Sequence, residues 1–155
     1  MKRINLWAGP RNISTAMMYS FAQRADTTVF DEPLYAHYLS NSDAYEYHPG
    51  ADEVLATQEN NGAKVVQMMM GEHASPIAFF KQMAHHLIKL DWSFMDDCIN
   101  IILTRNPREM LPSYNKQVET PNLYDVGYPA QVEILEYLKS KNLPIIVLES
   151  REVLL

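Results

Sequence analysis

The sequence predicts an α/β fold in which a parallel five-stranded sheet is flanked by helices. Three observations carry that expectation. Short apolar or β-branched runs alternate with segments of helical spacing, an order that favours parallel strands joined by crossovers. The run Ile99–Thr104 is apolar apart from one Asn, as in a strand covered on both faces. The early runs and Ile99–Thr104 give way to turn or helix-start residues, at Gly9-Pro10, at Asp31-Glu32-Pro33 and at Pro107.

Taken in order, Arg3–Ala8 reads as a buried strand that breaks at Gly9-Pro10, and Ser14–Arg24 as a helix with Ser14 or Asn12 as its cap. Thr27–Phe30, β-branched and aromatic, predicts the second strand. A short helix over Tyr35–Leu39 and a mainly helical stretch over Asp52–Met70, interrupted near Asn60-Asn61-Gly62, lead to a third strand at Ile77–Phe80 that ends in Lys81. After the fourth strand, Ile99–Thr104, Pro107 suits the first turn of a helix reaching about Lys116. Tyr128–Lys141 is amphipathic, with Val132, Leu135 and Leu138 on one stripe, and Leu143–Leu148 is the fifth strand.

A length of 155 residues suits one domain on the usual scale of roughly 100–200 residues. With 47% hydrophobic and 21% charged residues, the chain reads as globular rather than disordered or fibrous. Thirteen Lys and Arg against nineteen Asp and Glu leave a net charge of −6, which argues against nonspecific binding to nucleic acid or an anionic membrane. An anionic ligand must therefore be held by local cations. The single Cys98 cannot form an intramolecular disulfide, and no run approaches the roughly 18 apolar residues that span a bilayer. The expected setting is reducing and cytoplasmic.

The first strand-to-helix loop, Gly9-Pro10-Arg11-Asn12-Ile13-Ser14-Thr15, has the parts of an anion cradle. Gly9 permits close backbone approach, Arg11 supplies fixed charge, Ser14 and Thr15 supply hydroxyls, and the following helix offers unpaired N–H groups. A capped helix beside a solvated arginine would show the same residues. The nucleotide-triphosphatase pattern G-x-x-x-x-G-K-[ST] fails here, because Ser14 and Thr15 stand where its Gly and Lys would be. The loss of that lysine weakens metal-dependent phosphoryl transfer, although Asp31 after the second strand offers one magnesium ligand. A second constellation follows the fourth strand: Arg105-Asn106-Pro107-Arg108, then Ser113-Tyr114. Arg105 at a strand's carboxyl end faces the crevice where ligands bind in open α/β sheets. Ser113, about two turns along the next helix, falls on the same side, so the pair suits a phosphate clamp. The histidines and Cys98 have no recognised zinc spacing, and no metal site is expected.

Together, Pro10-Arg11-Asn12-Ile13-Ser14-Thr15 and Arg105-Asn106-Pro107 with Ser113-Tyr114 resemble the P-loop-like sulfotransferases, which use 3′-phosphoadenosine 5′-phosphosulfate. The wording WAGPRNISTAMM, FDEPLYAHYL and FFKQMAHHL is similar to a bacterial-type subgroup of that family, and the likeness runs from about Leu6 to Tyr114. The resemblance implies a P-loop nucleoside triphosphate hydrolase-like core. Gly9 to Thr15 would receive the 5′-phosphosulfate, and Arg105 with Ser113 the 3′-phosphate. Arg11, with Lys81 as a second cation, would stabilise the leaving phosphate, with no obligatory metal. For the base, some branches use a glutamate after the second strand, which matches Glu32. Others use a histidine shortly after a lysine beyond the third strand, which brings in His85 or His86. Glu32 is the favoured choice. His37 and the stretch Tyr35–His48 are candidates for contact with a small-molecule acceptor, with simple packing as the plainer reading of His37.

Two departures from the family stand out. Ile13 replaces the loop glycine, and a β-branched residue does not cheaply adopt positive φ, so a differently shaped or weaker loop is expected. The single sulfotransferase-like domain over 1–155 is expected to lack the usual C-terminal segment that closes over the donor. The reading that follows is sulfuryl transfer to a hydroxyl or amine. A nucleotide-binding or interaction module without turnover, and a small-molecule phosphotransferase, are the alternatives.

Overall fold

The computed structural model describes residues 1–48, 50–116 and 122–154. Five strands, β1 (Lys2–Ala8), β2 (Thr27–Asp31), β3 (Ile77–Met83), β4 (Ile99–Thr104) and β5 (Ile146–Glu149), form one sheet in the order β2-β3-β1-β4-β5. Every pairing is parallel, with Ile4 opposite both Phe79 and Ile99, and Ile101 opposite Ile146. The helices are α1 (Ser14–Ala22), α2 (Tyr35–Ser40), α3 (Ala51–Thr57), α4 (Gly62–Met70), α5 (Pro107–Tyr114), α6 (Tyr128–Ser140) and α7 (Ser150–Val153). From β1 the chain runs to β2 and β3 on one side and later to β4 and β5 on the other, so the order reverses at β1. The crevice of such a sheet opens at the carboxyl ends of the strands at that reversal.

Strand alternation explains the two faces. Leu6, Ala8, Phe79 and Leu103 point to one side and pack with Met17, Met18 and Phe21 of α1. Trp7, Ala78, Phe80 and Ile102 point to the other, against Val65 and Met69 of α4 and Ala130, Ile134 and Leu138 of α6. Because both faces are covered, β1 and β4 read as near-continuous apolar runs. Among the described residues no helix is long and apolar enough to cross a membrane.

Several boundaries differ from the sequence expectation for identifiable reasons. Strand β3 does not stop at Lys81 but continues through Gln82 to Met83, with Lys81 and Gln82 both buried. Carboxylates neutralise Lys81, and the Gln82 amide donates to Met69 Sδ at 3.5 Å, so polar letters sit inside a buried strand. On α6 the inward stripe is Ala130, Gln131, Ile134 and Leu138, whereas Val132 is 57% exposed. The stripe is turned because Gln131 faces inward, donating to the carbonyls of Trp7 (3.3 Å) and Leu103 (2.8 Å) at the strand ends. Helix α5 ends at Tyr114 rather than near Lys116, with Pro112 inside it. Strand β5 begins only at Ile146, after Pro144, which has no N–H for a ladder.

Candidate functional site

The β1–α1 loop is shaped by contacts that the sequence does not announce. Neither Ser14 nor Asn12 caps α1: the cap position is Ile13, and no side chain accepts from the first turn. The helix's leading N–H groups are thus left for a ligand. Asn12 turns inward instead, and its Nδ2 donates to Leu103 O at 2.9 Å. Ser150, at the β5–α7 junction, donates its hydroxyl to Thr104 O (2.8 Å) and Asn12 O (3.3 Å). Ile13 has φ 58° and ψ 12°, and Arg11 has φ 58°, so the left-handed turn forms with an isoleucine where glycine was expected to be needed. Ile13 thus adopts the positive φ that a β-branched residue does not take cheaply, while its side chain packs against the apolar cluster that includes Leu6 and Met18.

Gly9 is required by space, because a Cβ there would stand 2.9 Å from Val126 O. Gly127, at φ +80°, lies against it, and a Cβ on Gly127 would come within 3.1 Å of Gly9 Cα and 3.7 Å of His85 Nδ1. The 126–127 segment therefore forms one wall of the loop's base, with His85 just behind it.

The two anion motifs meet. Arg11 Nε donates to Ser113 Oγ at 3.0 Å, and Arg105 Nη1 donates to Arg11 O at 2.8 Å. Tyr128 braces Arg105 by donating to its carbonyl at 2.7 Å. Arg11, Asn12, Ile13, Ser14, Thr15 and Arg105 line a cavity of about 270 Å³ at the head of α1. Glu109, one turn along α5, lies 3.7 Å from Arg105 and pairs with Arg151 of α7, so the guanidinium is oriented by a carboxylate behind it. Two cations, two hydroxyls and an uncapped helix end fit a phosphate-bearing ligand. Arg11, Ser14 and Thr15 stand at the helix end, and Arg105 with Ser113 flanks it.

Lys81 and Arg108 do not join this cluster. Lys81 pairs across the sheet with Leu6, two residues before the end of β1, and with Asp31, the last residue of β2, and its Nζ donates to Asp31 Oδ1 (2.8 Å) and Glu32 Oε1 (2.5 Å). Its side chain is 6% exposed. Burial disfavours the ammonium, but Glu32 and Asp31 outweigh that and raise its pKa above the ordinary lysine value. Glu32 itself has φ 46°, a left-handed residue that turns the chain from β2 toward α2, with its N–H on Lys81 O at 2.8 Å. Arg108 is exposed on α5.

His85 and His86 lie at the end of β3 in a nest of rings. His86 stacks on Tyr35 (centroids 4.9 Å apart) and Tyr38 (4.7 Å), and His85 meets Tyr38 edge-on at 5.1 Å and Tyr124 at 6.4 Å. Both rings are buried, and neither Nδ1 has a hydrogen-bond partner among the described residues. Burial, with His48 nearby, pushes the His85 pKa down to about 3. Burial and then the neighbouring His85, His48 and Lys81 hold His86 well below the ordinary histidine range. Both rings are neutral at pH 7, and such weak bases gain little by taking a proton from a hydroxyl or amine. His37 packs inside α2 with its Nε2 2.8 Å from Ile88 O.

Of the residues that shape the loop, Ser150, Gln131, Tyr128, Gly127 and Glu109 are not marked by either motif. The signal available was a buried polar position, Gln131, on an otherwise apolar helix face.

A family model described as a sulfotransferase domain matches residues 1–148. Two Arabidopsis thaliana proteins, branched-chain-amino-acid aminotransferase-like proteins 1 and 2, are similar to the chain, at 38% identity over 152 residues and 34% over 155. These alignments cover 97% and 99% of this chain but 27% of each relative, so the chain spans about a quarter of the length of the curated relatives it matches. Among solved structures, shikimate kinase from Bacteroides thetaiotaomicron aligns with a TM-score of 0.51 and 11% identity, over 96% of this chain and 86% of that one. At that identity the likeness shows the fold alone, a parallel α/β sheet flanked by helices.

Proposed function

Since the chain belongs to the sulfotransferase domain family, we propose that it transfers a sulfuryl group from 3′-phosphoadenosine 5′-phosphosulfate to a hydroxyl or amine of a small-molecule acceptor. The observation that carries this reading is the junction of Arg11 with Ser113 and Arg105 beside the uncapped start of α1. When bound, the donor supplies the sulfuryl group and a phosphate leaving group. Arg11, the Ser14 and Thr15 hydroxyls and the α1 N–H groups face the position where negative charge grows on that phosphate, and fixed dipoles there need no reorganisation. Arg105 and Ser113 take the second phosphate, which fixes the donor's orientation. Glu32 is the base, held through Oε1 by Lys81, so Lys81 acts as a positioning residue for Glu32. His85 and His86 are buried among rings, at 2% and 1% exposure, whereas the Glu32 side chain reaches the surface, and this access supports Glu32 over the histidines. A cytoplasmic setting completes the reading.

The test is a titration with 3′-phosphoadenosine 5′-phosphate against ATP with magnesium. The bisphosphate is expected to bind and to raise the melting temperature; stabilisation by ATP–magnesium alone would replace this reading with phosphoryl transfer. Donor binding without sulfate transfer in a broad acceptor screen would make the domain a binding module.

A further inference from the structure

A second cavity, lined by Asp31 and Pro33 on either side of Glu32 in the chain, has a chemistry of its own. It measures about 570 Å³ and lies between the free edge of β2 and helix α4. That volume suits a small organic ligand. Val29, Phe30 and Pro33 form one apolar wall, and Val65 and Met68 the other. Its charged lining is Asp31, Glu59 and Lys64. Lys64 is answered within the cavity by Glu59 at 3.7 Å. Asp31 gives Oδ1 to Lys81, yet its side chain is 53% exposed and faces the open side. Lys81 is shared with Glu32, so the carboxylates at this end of the cavity outnumber the cation between them.

We infer that this cavity takes the acceptor, and that the acceptor is a primary amine on an apolar body, with its ammonium on Asp31 and its hydrocarbon against Phe30, Val65 and Met68. Glu32 takes a proton from that ammonium, the freed lone pair forms the N–S bond, and the S–O bond to the adenosine bisphosphate breaks with that phosphate leaving. The inference rests on the sulfotransferase reading for the word acceptor, since it places the amine beside Glu32. Charge decides the class. An anionic acceptor would meet Asp31 and Glu59 with a lysine already engaged, and a neutral alcohol would forgo the charge-assisted contact. The apolar walls bind the body of an amine or of an alcohol alike, so discrimination between them falls on Asp31.

The experiment uses the whole chain and three probes of equal length: hexylamine, hexanol and hexanoate, titrated by ligand-observed nuclear magnetic resonance without donor. Hexylamine is expected to bind about tenfold more tightly than hexanol, with hexanoate weakest. Asp31→Asn should erase the preference for the amine while leaving hexanol binding unchanged. Met68→Trp, at a half-exposed helix position that tolerates a larger side chain, should abolish binding of both without altering the fold. Equal binding of all three probes, a preference for hexanoate, or an unchanged amine affinity in either variant would overturn the inference. A parallel titration with 3′-phosphoadenosine 5′-phosphate keeps the two readings apart: bisphosphate binding with no amine preference removes only the acceptor class. Amine binding with no bisphosphate binding removes the sulfotransferase reading and leaves an amine site.

Discussion

Acidification should unfold this protein through two buried histidines. In the folded chain the His85 pKa is pushed down to about 3, and His86 is also held well below the ordinary value. His85 is faced by His48, His86, Tyr38 and Tyr124, and His86 by Tyr35, Tyr38 and Lys81, so no carboxylate stands among these neighbours to favour an imidazolium. The unfolded chain binds both protons near pH 6.5, whereas the folded chain refuses them, so stability is complete above pH 6.5 and falls as pH drops toward 3. His85 alone costs about 1.4 kcal/mol per pH unit in that window, or roughly 2 kcal/mol by pH 5, and His86 adds to the loss in the same direction. That is a large share of the 5–15 kcal/mol typical of a folded domain. Urea unfolding at steps between pH 7 and pH 5 measures it, in a range above the ordinary carboxylate pKa values. His85→Gln and His86→Gln should each reduce the slope while lowering stability at pH 7, with a smaller residual slope from His48, whose pKa burial also lowers. A wild-type stability that stays flat from pH 7 to pH 5, or a double variant with the full slope, would refute the reasoning.

Other consequences concern the site. Arg105→Ala should weaken 3′-phosphoadenosine 5′-phosphate by about 1.5–3 kcal/mol in calorimetry, the worth of a charge-assisted contact, and an unchanged dissociation constant would remove Arg105 from the site. Glu32→Gln should depress turnover far more than donor binding; equal losses in both would deny it the role of base. Gly127→Ala should destabilise the fold by about 1–3 kcal/mol in thermal unfolding, since the new Cβ meets Gly9 Cα at 3.1 Å on a left-handed residue. Ser150→Ala should cost about 1 kcal/mol and loosen the loop, seen as faster amide exchange at Asn12 and Ile13.

The fold was legible because a parallel sheet covered on both faces writes its inner strands as apolar runs, and β1 and β4 are such runs. It was less legible at β3, where Lys81 and Gln82 look like the end of a strand. Their burial depends on Asp31 lying opposite Lys81 across the sheet, and register between strands fifty residues apart is not written in either one. The same limit applies at the site. Each anion motif was readable locally, as loop-then-helix and as arginine plus a serine on the next helix. Their union through Arg11 and Ser113, which are 102 positions apart, exists only once β1 and β4 are neighbours. That union also reassigns a residue: Ser113, expected to partner Arg105, hydrogen-bonds to Arg11.

Ile13 shows how a local rule is broken by its surroundings. An L-residue in the left-handed region costs about 1–2 kcal/mol, and more for a β-branched side chain. Such a conformation persists only where the neighbouring backbone leaves no alternative. Here Arg11 O is held by Arg105, Asn12 O by Ser150, and the Asn12 side chain by Leu103 O, so the two peptides ahead of Ile13 are pinned from β4 and from the β5–α7 junction. The Ile13 side chain returns part of the cost by packing against the apolar cluster that includes Leu6 and Met18. A glycine would relieve the strain but would also lose that packing and enlarge the freedom of the unfolded chain. These effects oppose one another, and so isoleucine is held at a position whose positive φ favours glycine. The anchors that make this possible, Arg105 and Ser150, lie far along the sequence from the loop they hold.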